Sequence, residues 1–158
     1  MKRLISKHDE NYYTYMLKII NYIGGRSLKC NWLITDIEAY PNNEIIADKI
    51  DKEYLILSND ELIDILEQDD FQWIWATFSA ISANISKDEI LRYILPSTDK
   101  VKLSYNSEAI IQHPLATIEI DCMDSSFFAI IYNDETIEKE FLKAYPKAIK
   151  SIEWQTHF

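Results

Sequence analysis

The sequence predicts one α+β domain, with a mixed, largely antiparallel sheet of about five or six strands packed against about three helices. Apolar runs of strand length alternate along the chain with stretches in which apolar residues recur at helical spacing. Only 2 glycines and 4 prolines occur in 158 residues, which favours regular elements joined by short connections. No stretch has the composition of a linker, so residues 1–158 are expected to form a single globular domain.

The strand signals are apolar runs closed by turn residues. The internal runs are Cys30–Tyr40, Glu53–Leu57, Phe71–Ala80, Leu115–Cys122 and Ser126–Tyr132. Short strand-like segments at Lys2–Ser6 and Ile149–Trp154 flank them. Residues 97–114 are the hardest to interpret, with Val101–Tyr105 as an edge strand and Ser107–Gln112 as one helical turn.

The helix signals are caps and periodic apolar residues. The first helix carries apolar residues at positions 12–23 and is stopped by the glycine pair that follows. Two capping boxes, Ser58–Glu61 and Ser86–Glu89, each open a helix, and the second helix is expected to run to Leu95 before Pro96. Asn133 and Asp134 cap the last helix.

The run from Phe71 to Ala80 has the alternation of a central strand that is covered on both faces. Its two predicted faces carry Phe71, Trp73 and Trp75 on one side and Ile74, Ala76 and Phe78 on the other. Core packing is the first interpretation of the aromatic side. If that side is incompletely covered, it forms an apolar patch beside Asp69 and Asp70. Apolar patches rimmed by charge mark partner surfaces, so Asp69, Asp70, Trp73 and Trp75 are the candidate partner-binding residues.

The net charge of −10 and the pI near 4.7 argue against a nucleic-acid partner, because phosphates would be repelled. The basic run Lys143, Lys147 and Lys150 is interrupted by glutamates. No apolar run approaches the ~20 residues of a membrane span, and no signal peptide is visible. With only 2 cysteines as well, the chain is expected to be reduced and cytoplasmic.

The segment 118–134, IEIDCMDSSFFAIIYND, gathers the residues most suggestive of chemistry. Asp and Ser favour turns, so Asp124 and its neighbours are interpreted as a hairpin connection. Asp121 is expected at a strand end where solvent begins, on the face opposite the isoleucines. A buried inert thiol is expected for Cys122, and the alternative makes it a nucleophile with His113 as base.

No catalytic, metal or cofactor site is predicted. The three histidines, His8, His113 and His157, stand far apart, and no pair has the spacing of a zinc site. Acidic residues such as Asp64, Asp69 and Asp70 are more consistent with a solvated rim than with paired catalytic carboxylates.

Several short stretches resemble a small uncharacterised bacterial domain family. They are Asn31-Trp32-Leu33-Ile34, Asp121-Cys122, Asp124-Ser125-Ser126-Phe127 and Ile131-Tyr132. The resemblance implies a small cytoplasmic bacterial α+β protein, and it carries over no functional residue.

The leading hypothesis is a non-enzymatic module that binds a basic protein, as an immunity protein binds its toxin. The acidic composition would speed encounter and exposed aromatics would supply anchors. The alternative is a small hydrolase or transferase that uses carboxylates or Cys122. A homodimeric ligand-binding domain is compatible with either.

Overall fold

The strand-forming runs pair into one seven-stranded antiparallel sheet in a computed structural model that describes residues 1–6, 13–100 and 109–150. The strands are β1 (Lys2–Ser6), β2 (Cys30–Ala39), β3 (Tyr54–Ser58), β4 (Trp73–Ser82), β5 (Ala116–Met123), β6 (Phe127–Tyr132) and β7 (Ile149–Lys150). Their spatial order is β3-β2-β4-β5-β6-β1-β7. The predicted α+β class is confirmed. The sheet is larger than expected because both short terminal segments join it, β1 beside β6 and β7 beside β1.

Five α-helices have defined bounds within the described residues. They are α1 (Met16–Ile23), α2 (Glu44–Ile50), α3 (Asn59–Gln68), α4 (Lys87–Ile90) and α5 (Glu135–Ala144). Residues 98–100 are also helical. The Ser58–Glu61 capping box is confirmed, since the Ser58 N–H donates to Glu61 at 2.7 Å and the Glu61 N–H donates to the Ser58 hydroxyl at 3.3 Å.

One predicted helix is shorter than expected, and one helix was missed. The helix expected to reach Leu95 ends at Ile90, although Ser86 does cap it by accepting from the Glu89 N–H at 3.2 Å. Helix α2 was not predicted at all. It begins after Asn43, whose side chain accepts from two backbone N–H groups, and it buries only Ile46 and Ile50. Two apolar positions in seven residues give little periodic signal.

The sheet has two differently covered faces. Helices α1, α3 and α5 pack on one face and enclose the main apolar core, which includes Trp32, Phe78 and Phe128. The other face is covered by the segments on either side of α4 and before β5, where Ile90 packs against Leu33 and Ile81. This second face carries polar side chains near its centre, which the first does not.

The predicted alternation along β4 breaks near its start, so Trp73 and Trp75 do not share a face. Trp73, Ala76 and Phe78 all belong to the main core. The break coincides with register shifts against β2, between Thr35 and Ala39, where extra residues bulge out of the ladder. A bulge reverses the direction in which the following side chains point.

The predicted edge strand Val101–Tyr105, part of the predicted turn Ser107–Gln112, and the chain after Lys150 lie outside the described residues. In the described part of the chain, no helix combines the length and apolar character needed to cross a membrane.

Candidate functional site

Tyr40 stands on an anchored turn at the end of β2, and 74% of its surface is exposed. Asp69 anchors this turn. Its carboxylate accepts the Asn43 backbone N–H at 2.9 Å and the Asn42 side-chain amide at 3.4 Å. The turn therefore connects the end of β2 to the start of α2 and is tied to the end of α3. In the sequence, Tyr40 is only the last residue of a predicted strand. The signal that could have identified it is an aromatic residue directly before the turn residues Pro41, Asn42 and Asn43.

Two clefts flank Tyr40, and its side chain lines both of them. The Asp48 cleft, of about 390 Å³, lies between the end of β2 and helix α2. The Asp70 cleft, of about 330 Å³, lies where the end of β2, the start of β4 and the β5–β6 turn meet. We call the residues lining these two clefts the Tyr40 face.

The Tyr40 face is acidic. Glu38, Asp48 and Asp51 line the first cleft, and Asp70 lines the second. Among the described residues, none of these carboxylates forms an ion pair, and neither cleft has a lysine or arginine in its lining. Lys49 and Lys52 lie on or beside α2 but outside both linings. The face thus presents negative charge around an exposed ring.

Asp70 is the half-buried carboxylate of the face. Burial raises the pKa of its carboxyl group to about 6, the charge of Asp69 adds to the increase, and a hydrogen bond from the Leu17 N–H opposes it. Its Oδ1 atom is buried and has no hydrogen-bond partner in the part of the chain that the structure describes. A buried acceptor without a donor is costly, so the Asp70 carboxylate would be stabilised by a donor that reaches it.

The two predicted tryptophans lie in different places. Trp73 is fully buried and packs its ring against Phe71 and Phe78, with centroid separations of 4.9 Å in both pairs. That position keeps its ring away from any partner. Trp75 is half-buried on the opposite face of the sheet, opposite Glu38 of β2 and Met123 of β5. Of the four predicted residues, Asp70 belongs to the Tyr40 face. Asp69 lines neither cleft and instead anchors the turn that carries Tyr40.

A second group of polar residues is buried in the centre of the sheet. Asp121 does lie on the face opposite the isoleucines, but the expectation that it reaches solvent was wrong, because it is fully buried. Thr77 donates to its Oδ1 at 2.9 Å. Glu119, on the same strand and face, accepts two hydrogen bonds from Gln112, at 2.8 and 3.3 Å. Both carboxylates are closed off from solvent, so a substrate has no direct access to them here.

The structure does not bring Cys122 and His113 together. Cys122 belongs to the core on the helix-covered face, and burial raises the pKa of its thiol well above the ordinary value. His113 is buried among the segments that cover the other face of the sheet. Its Nε2 lies 3.1 Å from the Ile90 carbonyl oxygen, and its Nδ1 accepts a hydrogen bond from the Leu115 N–H at 3.2 Å. Both ring nitrogens therefore have structural partners.

The other described surfaces are weaker candidates for a binding site. A third cleft, of about 540 Å³, lies beside α5, but Lys2 there pairs with Glu135 at 3.2 Å and Glu138 at 3.0 Å, so its charges are largely compensated. Within residues 1–6, 13–100 and 109–150, no group of three or more His, Cys, Asp or Glu side chains has the arrangement of a metal site.

Comparisons with known proteins supply no relative from which a role could be transferred. No family model matches the chain, and neither the curated proteins nor the solved structures contain a significant match. The interpretation of the site therefore depends on its own geometry and charge.

Proposed function

We propose that this protein is a non-enzymatic binding module whose Tyr40 face holds a basic protein, as an immunity protein holds its toxin. The observation that carries the proposal is the meeting of two clefts at one exposed tyrosine. Their linings contain four carboxylates that form no ion pair with any described residue. Tyrosine is a preferred anchor of protein interfaces because it buries a large ring and keeps a polar hydroxyl.

The charge of the face favours a cationic partner in two ways. The carboxylates in the linings of the two clefts give the face negative charge, which a cationic partner would compensate. The net charge of −10 also attracts a basic protein over distances of about a Debye length and speeds its encounter. Ile45, which is 80% exposed on α2, adds apolar area beside the Asp48 cleft.

A homodimer through this face is disfavoured by the same charges. A two-fold interface would place the Tyr40 face of one copy against that of the other, and the carboxylates of both would meet. Like charges that face each other across an interface cost several kcal/mol. The occupant of the face is therefore a different and basic protein.

A capture experiment with matched tyrosine variants tests the proposal. The immobilised chain is exposed to extract from its source cell, and the retained proteins are analysed by native mass spectrometry. We expect a stoichiometric basic protein that Tyr40→Ala binds at least about tenfold more weakly. Tyr22→Ala is the control, since Tyr22 is also exposed, at 41%, but lies on α1 outside both clefts.

Tyr22→Ala should retain the partner as the unchanged chain does. Retention of an acidic protein alone, or of a basic protein equally well by Tyr40→Ala, would overturn the proposal.

A further inference from the structure

The Asp70 cleft has a fixed base. The side-chain amide of Gln72 donates to the Tyr13 carbonyl at 2.9 Å and to the Ser125 carbonyl at 3.1 Å. The Ser125 N–H in turn donates to the Ile74 carbonyl at 3.1 Å. These bonds join the segment before α1, the start of β4 and the β5–β6 turn. These hydrogen bonds hold the base of the cleft in shape, as a preformed ligand pocket requires.

The polar groups in this cleft are mostly acceptors. Asp70 contributes a half-buried carboxylate to the lining, and its Oδ1, which is shielded from solvent, has no hydrogen-bond partner among the described residues. The Gln72 amide nitrogen is already engaged, which leaves its Oε1 as an acceptor that no described residue uses. A ligand group that fits must therefore bring hydrogen-bond donors, and a positive charge would compensate Asp70.

The exposed lining of the cleft is mostly polar, but aromatic and aliphatic side chains also contribute to it. Tyr15, Tyr40, Phe71 and Ile74 all contribute to the lining. Tyr40 is largely exposed and Phe71 is buried. A planar cation stacks on such rings, and an aliphatic stem is favoured along such walls. The combination of a carboxylate, a neutral acceptor and flat rings is that of a guanidinium site.

We propose that the Asp70 cleft receives one arginine side chain of the basic partner, with the guanidinium on Asp70 and its stem against the aromatic walls. This assignment rests on the proposed function and specifies the chemistry of the contact. Arginine is favoured over lysine because its planar fork can donate to Asp70 and Gln72 together while it stacks on a ring. The volume of about 330 Å³ has room for one such side chain.

The protonation behaviour of Asp70 is consistent with this ligand. Because its pKa is raised to about 6, the carboxyl group is ionised at neutral pH at an energetic cost, and a guanidinium would offset that cost. The groups that act on it are the charge of Asp69, which raises the pKa, and the Leu17 N–H, which lowers it. Arginine binding should therefore strengthen as pH rises through about 6.

The test is an amide-resolved NMR titration with N-acetyl-arginine amide. We expect saturable chemical-shift changes of the Phe71, Gln72 and Ser125 amides. The dissociation constant should be about millimolar, as expected for a ligand that binds through a single side chain. The neutral isostere N-acetyl-citrulline amide should leave these amides unshifted, and N-acetyl-lysine amide should bind several-fold more weakly. Binding at about pH 5 should be weaker than at about pH 7.5.

Asp70→Asn should abolish the shifts while it keeps an oxygen for the Leu17 N–H. The control Asp88→Asn removes the same charge from exposed Asp88 on α4, beyond the opposite end of β4, and should bind like the unchanged chain. Equal shifts with citrulline amide, or no shifts with the arginine compound, would overturn the assignment even if Asp70→Asn failed to fold.

Failure here is distinguishable from failure of the proposed function. If the arginine compound does not bind but Tyr40→Ala still loses a basic partner, only the assignment of the Asp70 cleft falls. If no basic partner depends on Tyr40, the face itself has no such role.

Discussion

Thr77 on β4 donates its hydroxyl to Oδ1 of Asp121 on β5 at 2.9 Å, and both side chains are completely buried. The second oxygen of this carboxylate, Oδ2, has no hydrogen-bond partner among the residues that the structure describes. Burial raises the pKa of Asp121 and of Glu119, and the proximity of Glu119 raises that of Asp121 further. The charge of Arg3 opposes both increases. The sheet therefore encloses two acids whose ionised forms are disfavoured.

These acids should make the protein less stable as pH rises. An acid whose pKa is higher in the folded state destabilises that state once it is ionised. Their destabilisation is absent below the unfolded pKa, about 4, and complete above the raised folded pKa. We expect Asp121→Asn to increase the free energy of unfolding by about 1 kcal/mol or more at about pH 8, and by less at about pH 5.

Urea denaturation of both proteins at the two pH values measures this difference. Asp88→Asn, which removes one carboxylate from an exposed position on α4, is the control for the loss of one charge. An Asp121→Asn variant that is destabilised equally at both pH values would contradict the prediction.

The two tryptophans should respond differently to truncation. Trp73→Ala removes a fully buried ring from between Phe71 and Phe78 and should cost about 3–5 kcal/mol of folding stability. Trp75→Ala should cost less, because part of its ring already contacts water. Trp73→Phe is a useful control, since the indole N–H that it removes has no hydrogen-bond partner within residues 1–6, 13–100 and 109–150.

The free energies of unfolding come from denaturant melts of the three variants. If Trp75 anchors a partner, Trp75→Ala should remain folded and weaken binding by about 2 kcal/mol or more. Equal loss of stability for Trp73→Ala and Trp75→Ala would contradict the burial difference.

Several elements could be predicted because their signals are local. Strand β1 has the predicted bounds Lys2–Ser6, and the Ser58–Glu61 box caps α3 as expected. Gly24 directly follows α1, and its φ of 145° is a backbone conformation that glycine adopts readily. Each of these features depends on neighbours within a few residues along the chain.

The burial of Asp121 and the Tyr40 face could not be predicted in the same way. Alternation along β5 shows which face Asp121 occupies, but the cover of that face comes from distant segments around α4 and before β5. The Asp70 cleft joins residues from four separate stretches, among them Tyr15, Asp70 and Ser125. Asp69 and Asp70 are candidates from the sequence because charge beside aromatic residues is a local pattern, whereas Tyr40 becomes notable only when the strand ends meet.

Both cysteines should be unreactive in the native protein. Cys30 and Cys122 are free thiols, and burial raises the pKa of Cys30 to about 12 and that of Cys122 well above its ordinary value. Little thiolate therefore exists at neutral pH. Titration with a chromogenic disulfide should label both thiols slowly, and rapidly after denaturation. The Cys30→Ser variant isolates Cys122, and its fast labelling at neutral pH would support the nucleophile alternative instead.

Association with the captured basic partner should depend on salt and on the carboxylates beside Tyr40. Because the charges attract over long range, the association rate constant should fall by about tenfold or more as salt screens them.

Asp69→Asn and Asp70→Asn should each slow association. Asp69→Asn should change thermal stability little, since asparagine keeps an acceptor oxygen for the Asn43 N–H. Asp70→Asn should not lower it at neutral pH, because it keeps an oxygen for the Leu17 N–H and removes a carboxylate whose ionisation is disfavoured by burial. Asp88→Asn removes the same charge from the far end of β4 and should slow association less.

Stopped-flow or surface-binding kinetics measure these rates. Equal slowing by all three substitutions would show that net charge alone steers the partner, and a rate insensitive to salt would exclude electrostatic steering.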